Sequence, residues 1–202
     1  MPRASRSDTS NVRQDTRERL LLAAVGEFNE RGYHGTDTNR IARRAGFAPQ
    51  TFYRWFDDKI AVFIAVYDWW QQEEFGTIAR LLSENAPDQR LVSTGVAYHR
   101  SYLKFRRSLR QLSCEDDKVR AARAASRLRQ IEFLQGWIGS DRSPSELAVD
   151  LFELERLSDA LAEGEFDDLG LSPTAAEQKL AEIIHSLRKS RSGSEKNSSK
   201  QR

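Results

Sequence analysis

The stretch Thr36–Lys59, TDTNRIARRAGFAPQTFYRWFDDK, constrains the chain more than any other. Ile41, Ala42 and Ala45 share one helical face, and Phe52 and Phe56, four apart, share another. Gly46 lies between the two patterns, where a tight turn needs positive φ. Two helices joined by a short turn, often with Gly, make a helix-turn-helix unit. Its second helix, expected over residues 49–56 with Pro49 in the first turn, turns Gln50, Thr51, Tyr53 and Arg54 outward. Such side chains can meet base edges and phosphates.

The flanking segments read as helices too. Leu20, Ala24 and Phe28 form a stripe, widened by Leu21 and Val25, on a helix expected from about Thr16 to Arg31 and ended by Gly32. Thr36 is the expected N-cap of the next helix, and Asp57 of a longer one that opens at Asp58-Lys59 and runs to about Ser83. Further helices are expected over residues 87–105, 116–138, 145–161 and 173–188, with a short basic and apolar segment at 106–114. Ser143-Pro144-Ser145-Glu146 is a helix-start signal. Strand-like alternation is missing, so the class is all-α.

Net charge is +2 over 202 residues, so partners must be read from where charge sits and not from its sum. Residues 1–14 are expected to be a flexible leader or a basic arm on DNA, with Arg3, Arg6 and Arg13. Residues 189–202 are expected to be a disordered basic tail. One cysteine, Cys114, excludes an internal disulfide, fits a reducing cytoplasm and is expected to be buried and inert. No signal peptide and no membrane-spanning run is expected. His34, His99 and His185 have no ligand spacing, so no metal is expected, and no nucleophile, phosphate-loop or dinucleotide motif suggests an enzyme or a cofactor.

Phe28, Gly32-Tyr33, Gly35-Thr36, Ile41-Ala42, Ala45-Gly46, Thr51-Phe52-Tyr53, Phe56 and Lys59 together resemble the TetR family of bacterial transcriptional regulators. The resemblance implies about nine helices in two parts. Residues 15–59 would be a three-helix DNA-binding head, and residues 60–188 a helical body that binds a ligand and dimerises through its last two long helices. It implies phosphate anchoring by Thr36, Thr51, Tyr53 and Lys59, and base-facing positions at Pro49, Gln50 and Thr51. Thr38, Arg44 and Arg54 complete the expected DNA-binding set, the arginines as phosphate partners. Many relatives carry Ser where this chain has Ala48, and a small residue where it has Gln50. The first change removes a helix cap; the second adds a side chain able to read adenine.

In the body, Tyr67, Trp70, Phe75, Tyr98, His99, Tyr102, Phe105, Phe133 and Trp137 are expected to line a pocket for an apolar or amphipathic effector. The expected protein is thus a cytoplasmic, homodimeric, ligand-responsive repressor on a near-palindromic DNA operator. The alternatives are an activator, or a helical carrier or enzyme whose head is vestigial.

Overall fold

A computed structural model describes residues 6–138 and 142–200; side chains are described from residue 15 to 138 and 142 to 191. Ten helices and no strand occur among the described residues. They are α1 (Arg6–Arg31), α2 (Thr38–Arg44), α3 (Pro49–Phe52), α4 (Lys59–Ser83), α5 (Asp88–Ser101), α6 (Leu103–Glu115), α7 (Asp117–Ile138), α8 (Pro144–Glu163), α9 (Glu165–Asp168) and α10 (Thr174–Lys200). Among the described residues no helix is long and apolar enough to cross a membrane.

The chain divides into two compact units. The first comprises residues 1–71 and 104–120, and the second residues 72–103 and 121–202. The first unit is built around rings. Phe28 of α1 is fully buried and meets Phe63 edge-on at 5.0 Å; Phe63 in turn meets Phe105 of α6 at 5.1 Å. Leu20, Ala24, Ile41, Ala42, Phe52 and Val62 are fully buried around them. Arg106 is buried, with its guanidinium 4.6 Å from the centre of the Trp70 ring.

In the second unit α5, α8 and α10 pack on one another. Val92, Leu161, Ala176 and Leu180 form one apolar cluster; Ile131, Ile138, Leu147, Ile183 and Leu187 form another with α7. Ser143 caps α8 reciprocally: its Oγ accepts from Glu146 N while the Glu146 carboxylate accepts from Ser143 N. Gly164, at φ 80°, ends α8.

Several boundaries differ from the sequence expectation. α1 begins at Arg6, ahead of Thr16, because the stretch between them holds no Pro or Gly and nothing breaks it. The side chains of Arg6 and Arg13, and all of Arg3, lie outside the described residues. α10 likewise continues to Lys200 through the stretch expected to be disordered; composition argues against packing there, which is a weaker condition than forming no helix. Residues 201–202 lie outside the described set. The expected helix over 87–105 is two, α5 and α6, divided at Tyr102 (φ −125°, ψ 31°), with no Pro or Gly to announce the break. The basic segment 106–114 is part of α6. Its buried positions are Phe105, Arg106, Ser108, Leu109 and Leu112. Cys114 falls off that stripe and is exposed, not buried as expected.

Candidate nucleic-acid interface

The first unit presents the helix-turn-helix expected from sequence, with altered caps. Asp37, not Thr36, caps α2, with its carboxylate accepting from Arg40 N at 2.8 Å. Asp58, not Asp57, caps α4, accepting from Ala61 N at 2.6 Å. Ala48 precedes α3 and supplies no side-chain cap. α3 is short, Pro49–Phe52, and continues as turns in which Phe56 N still donates to Phe52 O at 3.1 Å. Gly46 takes φ 80°, and Arg19 of α1 reaches the turn, donating to Ala45 O at 2.8 Å and stacking over Phe47 at 4.6 Å. The inner faces are as expected: Ile41, Ala45, Phe52 and Phe56 are buried.

The outward residues divide into two groups. Gln50, Tyr53 and Arg54 are exposed, and Thr51 and Thr38 are half-buried. The Tyr53 and Thr38 hydroxyls lie 3.0 Å apart, which ties the end of α3 to the start of α2. The second group spends its polar atoms inside the head. Thr36 is buried and donates from Oγ1 to Glu27 Oε2 at 2.8 Å. Lys59 Nζ donates to Tyr33 O at 2.9 Å and Thr36 O at 3.0 Å, 4.0 Å from the Tyr33 ring centre. Burial lowers its pKa, with Asp37 opposing, and burial raises that of the Tyr33 phenol. Arg44 donates to Glu27 Oε1 at 3.2 Å and to Glu30 Oε1 at 2.5 Å.

Residues 20–66 match the profile of "Bacterial regulatory proteins, tetR family". This segment is of the TetR-family type. The chain is 43% identical over 49 residues to YdgC, an uncharacterised HTH-type transcriptional regulator of Bacillus subtilis (strain 168), covering 24% of this chain and 25% of that protein. The chain therefore spans about a quarter of the length of the curated relative it matches. Solved structures extend the likeness of fold beyond this segment. A protein described as a TetR-family transcriptional regulator from Rhodococcus sp. matches at TM-score 0.66 and 17% identity, over 86% of this chain and 98% of that one. A protein described as a transcriptional regulator from Saccharomonospora viridis, in complex with choline, matches at TM-score 0.62 and 20% identity, over 85% and 96%.

The nine aromatic and histidine side chains expected to line one pocket are shared between the two units. Tyr67, Trp70 and Phe105 are buried in the first, with Trp70 and Phe105 rings 6.3 Å apart. The other six belong to the second. There Tyr98 and Tyr102 pair at 5.2 Å, and Phe75 and Phe133 pair edge-on at 4.4 Å while remaining exposed. Trp137 lies under the Arg191 guanidinium at 5.0 Å. His99 is buried, with both ring nitrogens beside carboxylates, Nδ1 2.9 Å from Asp159 Oδ1 and Nε2 3.0 Å from Glu74 Oε1. Burial, then the neighbouring Tyr102, Glu74 and Glu73, push the Tyr98 phenol up.

Glu27, inside the segment that matches the family profile, is missing from the residues expected from sequence. Its buried carboxylate meets Thr36, Arg44, Arg31 (3.3 Å) and Arg40 (3.5 Å). A signal for it exists: Glu27 sits one turn beyond Ala23 and Ala24 on the inward stripe of α1, a position otherwise apolar. Burial pushes its carboxyl up, but hydrogen bonds from Thr36 and Arg44 and the charges of Arg44 and Arg31 outweigh burial and hold it below the ordinary 4.5. The folded head thus binds this proton more weakly than the unfolded chain. Its contribution is present above the unfolded value and fades as pH falls through the lower folded one. Glu27→Gln is expected to lower stability at neutral pH and to flatten the loss between about pH 5 and 3. Circular-dichroism melts across that range check this; curves for the two proteins that stay parallel would contradict it.

Proposed function

We propose that the chain is a ligand-responsive transcriptional repressor that binds a near-palindromic DNA operator as a homodimer. One observation carries the reading: Gln50, Tyr53 and Arg54 stand exposed around a short helix whose Phe52 is locked into the core, inside the segment that matches the family profile. α3 enters the major groove; Gln50 and Thr51 meet base edges there, while Tyr53, Thr38 and Arg54 meet phosphates. Two heads related by a two-fold axis read two half-sites about one helical turn or more apart. Exposed Val149 and Phe152 on α8 support pairing through α8 and α10. A monomer in sedimentation at micromolar concentration would exclude that pairing.

The effector is apolar or amphipathic and includes a ring or an acyl chain, given the aromatic side chains of the body. The choline complex of the Saccharomonospora viridis protein supports a small organic molecule as effector in this fold. Release from DNA requires the effector to prefer the non-binding arrangement by several kcal/mol. A body that takes up only small, highly charged molecules in a thermal-shift panel would refute the apolar class. Repression is read by a reporter fused to the upstream region of the chain's own gene, with and without that gene.

The interface is tested by gel shift on the same upstream DNA. Gln50 supplies paired amide groups that match adenine N6 and N7, an arrangement that contributes about 1–3 kcal/mol of discrimination. Gln50→Ala is expected to relax preference at one base position, roughly tenfold, and to leave the others unchanged. Equal affinity for every single-base variant of the site before and after the change would overturn the assignment.

A further inference from the structure

Arg44 lies on the C-terminal turn of α2, with its side chain 37% exposed. Its guanidinium nonetheless folds back across α1. Nη1 donates to Glu27 Oε1 at 3.2 Å and Nη2 to Glu30 Oε1 at 2.5 Å, so two carboxylates grip one cation. The place it occupies exists because α1 has no side chain there. A Cβ built on Gly26 would stand 2.5 Å from Arg44 Nη2 and 2.7 Å from Cζ, closer than atoms can approach. Gly26 sits inside a helix, where glycine is otherwise a poor choice. Glycine and both acids therefore meet in one feature, a berth for the Arg44 guanidinium, although Glu27 also holds Thr36, Arg31 and Arg40.

We propose that Gly26, Glu27 and Glu30 withhold Arg44 from DNA phosphates and so lower the sequence-independent affinity of the head. The inference rests on the DNA-binding reading above. A guanidinium held by two carboxylates must give up both charge-assisted hydrogen bonds before it can neutralise a phosphate. While berthed it releases no DNA counterion and adds nothing to the salt dependence of binding. Because non-specific sites vastly outnumber an operator, a head with fewer unspecific phosphate contacts separates operator from background better at equal base contacts. Gly26, Glu27 and Glu30 are on this account positioning residues for specificity; none of them touches DNA.

The test uses the full chain and a fluorescein-labelled duplex of arbitrary sequence, with anisotropy titrations from about 50 to 200 mM salt. Gly26→Ala displaces only the far end of a flexible side chain, so the helix persists and Arg44 is freed. Its log affinity against log salt is expected to steepen by about 0.9, the increment for one new phosphate contact. Across that salt range it loses roughly threefold more affinity than the parent. Glu30→Gln, at an exposed position, weakens the grip without adding a methyl group and is expected to steepen the slope in the same direction. In the double variant Gly26→Ala/Arg44→Ala the added slope vanishes. A merely structural role for Gly26 would change the melting temperature and leave the slope alone. Parental slopes in both single variants, or a steepening that survives in the double variant, overturn the proposal. Should Gly26→Ala fail to fold by circular dichroism, Glu30→Gln decides. A parent protein that binds no duplex at any salt overturns the DNA-binding reading and this proposal with it, and is told apart because the parental titration is itself flat.

Discussion

The His99→Leu variant is expected to unfold with about 3–5 kcal/mol less stability than its parent, a fall of about 10 °C in melting temperature. Nδ1 lies 2.9 Å from the Asp159 carboxylate and Nε2 3.0 Å from that of Glu74. Contacts that short are hydrogen bonds, and a neutral imidazole has only one N–H to give. Leucine cannot stand between the two acids. It leaves Asp159, buried with a side chain 7% exposed, beside Glu74 with no donor from this position, and removing one partner of a buried charge cluster is costly for that reason. Because the three residues come from α4, α5 and α8, the loss is shared by three helices of the second unit. His99→Gln retains amide donors and is expected to lose less. Urea unfolding of the three proteins measures both differences; a leucine variant within about 1 kcal/mol of the parent would show that the carboxylates need no proton donor between them.

Phe28→Ala is expected to cost the first unit about 3–5 kcal/mol and to abolish duplex binding at temperatures where the parent binds. Phe28 is fully buried, stacked on Tyr33 at 6.0 Å and met edge-on by Phe63 at 5.0 Å. Truncation removes both ring contacts and leaves a void that helices held by other buried rings cannot close. Gly32 ends α1 at φ 70° four residues on, and Tyr33 N donates to Ser108 Oγ at 2.9 Å, so the backbone beyond Phe28 is not free to move inward. Phe28→Leu keeps most of the volume and is expected to cost roughly half as much. The two variants are compared by thermal unfolding and by anisotropy on one labelled duplex. Full binding by the alanine variant at an unchanged melting temperature would contradict the claim.

Local signals in the sequence carry the fold well. Period and caps are short-range quantities, and so the helical class, the turn at Gly46, the stop at Gly32 and the start of α8 at Ser143-Pro144 are legible in the residues alone. The division at Tyr102 is not, because neither Pro nor Gly marks it. Polar commitments are least legible. Residue type and position point Thr36, Arg44 and Lys59 toward phosphates. Each instead bonds across the head, to Glu27, to Glu27 and Glu30, and to the carbonyls of Tyr33 and Thr36. These partners are 9 to 26 residues away in the chain, beyond any helical period. Gln50, Tyr53 and Arg54 differ because their exposure, on the short helix and the turn after it, follows directly from the burial of Phe52 and Phe56.

Arg188 donates to Ala86 O at 2.7 Å and pairs with Asp88 at 3.0 Å, closing a span of 102 residues. That span orders events on the ribosome. The first unit is complete in sequence once residue 120 has emerged, whereas the second receives its segment 72–103 early and its remaining partners only from residue 121 onward. At about 5–20 residues per second, α5 waits roughly 5–20 s for α10. During that interval Leu91 and Val92, buried in the finished protein, have no apolar partner from the C-terminal helix. The head can therefore fold while the chain is still being made. The nascent chain passes through a stage in which the residues of the first unit are all present and those of the second are not.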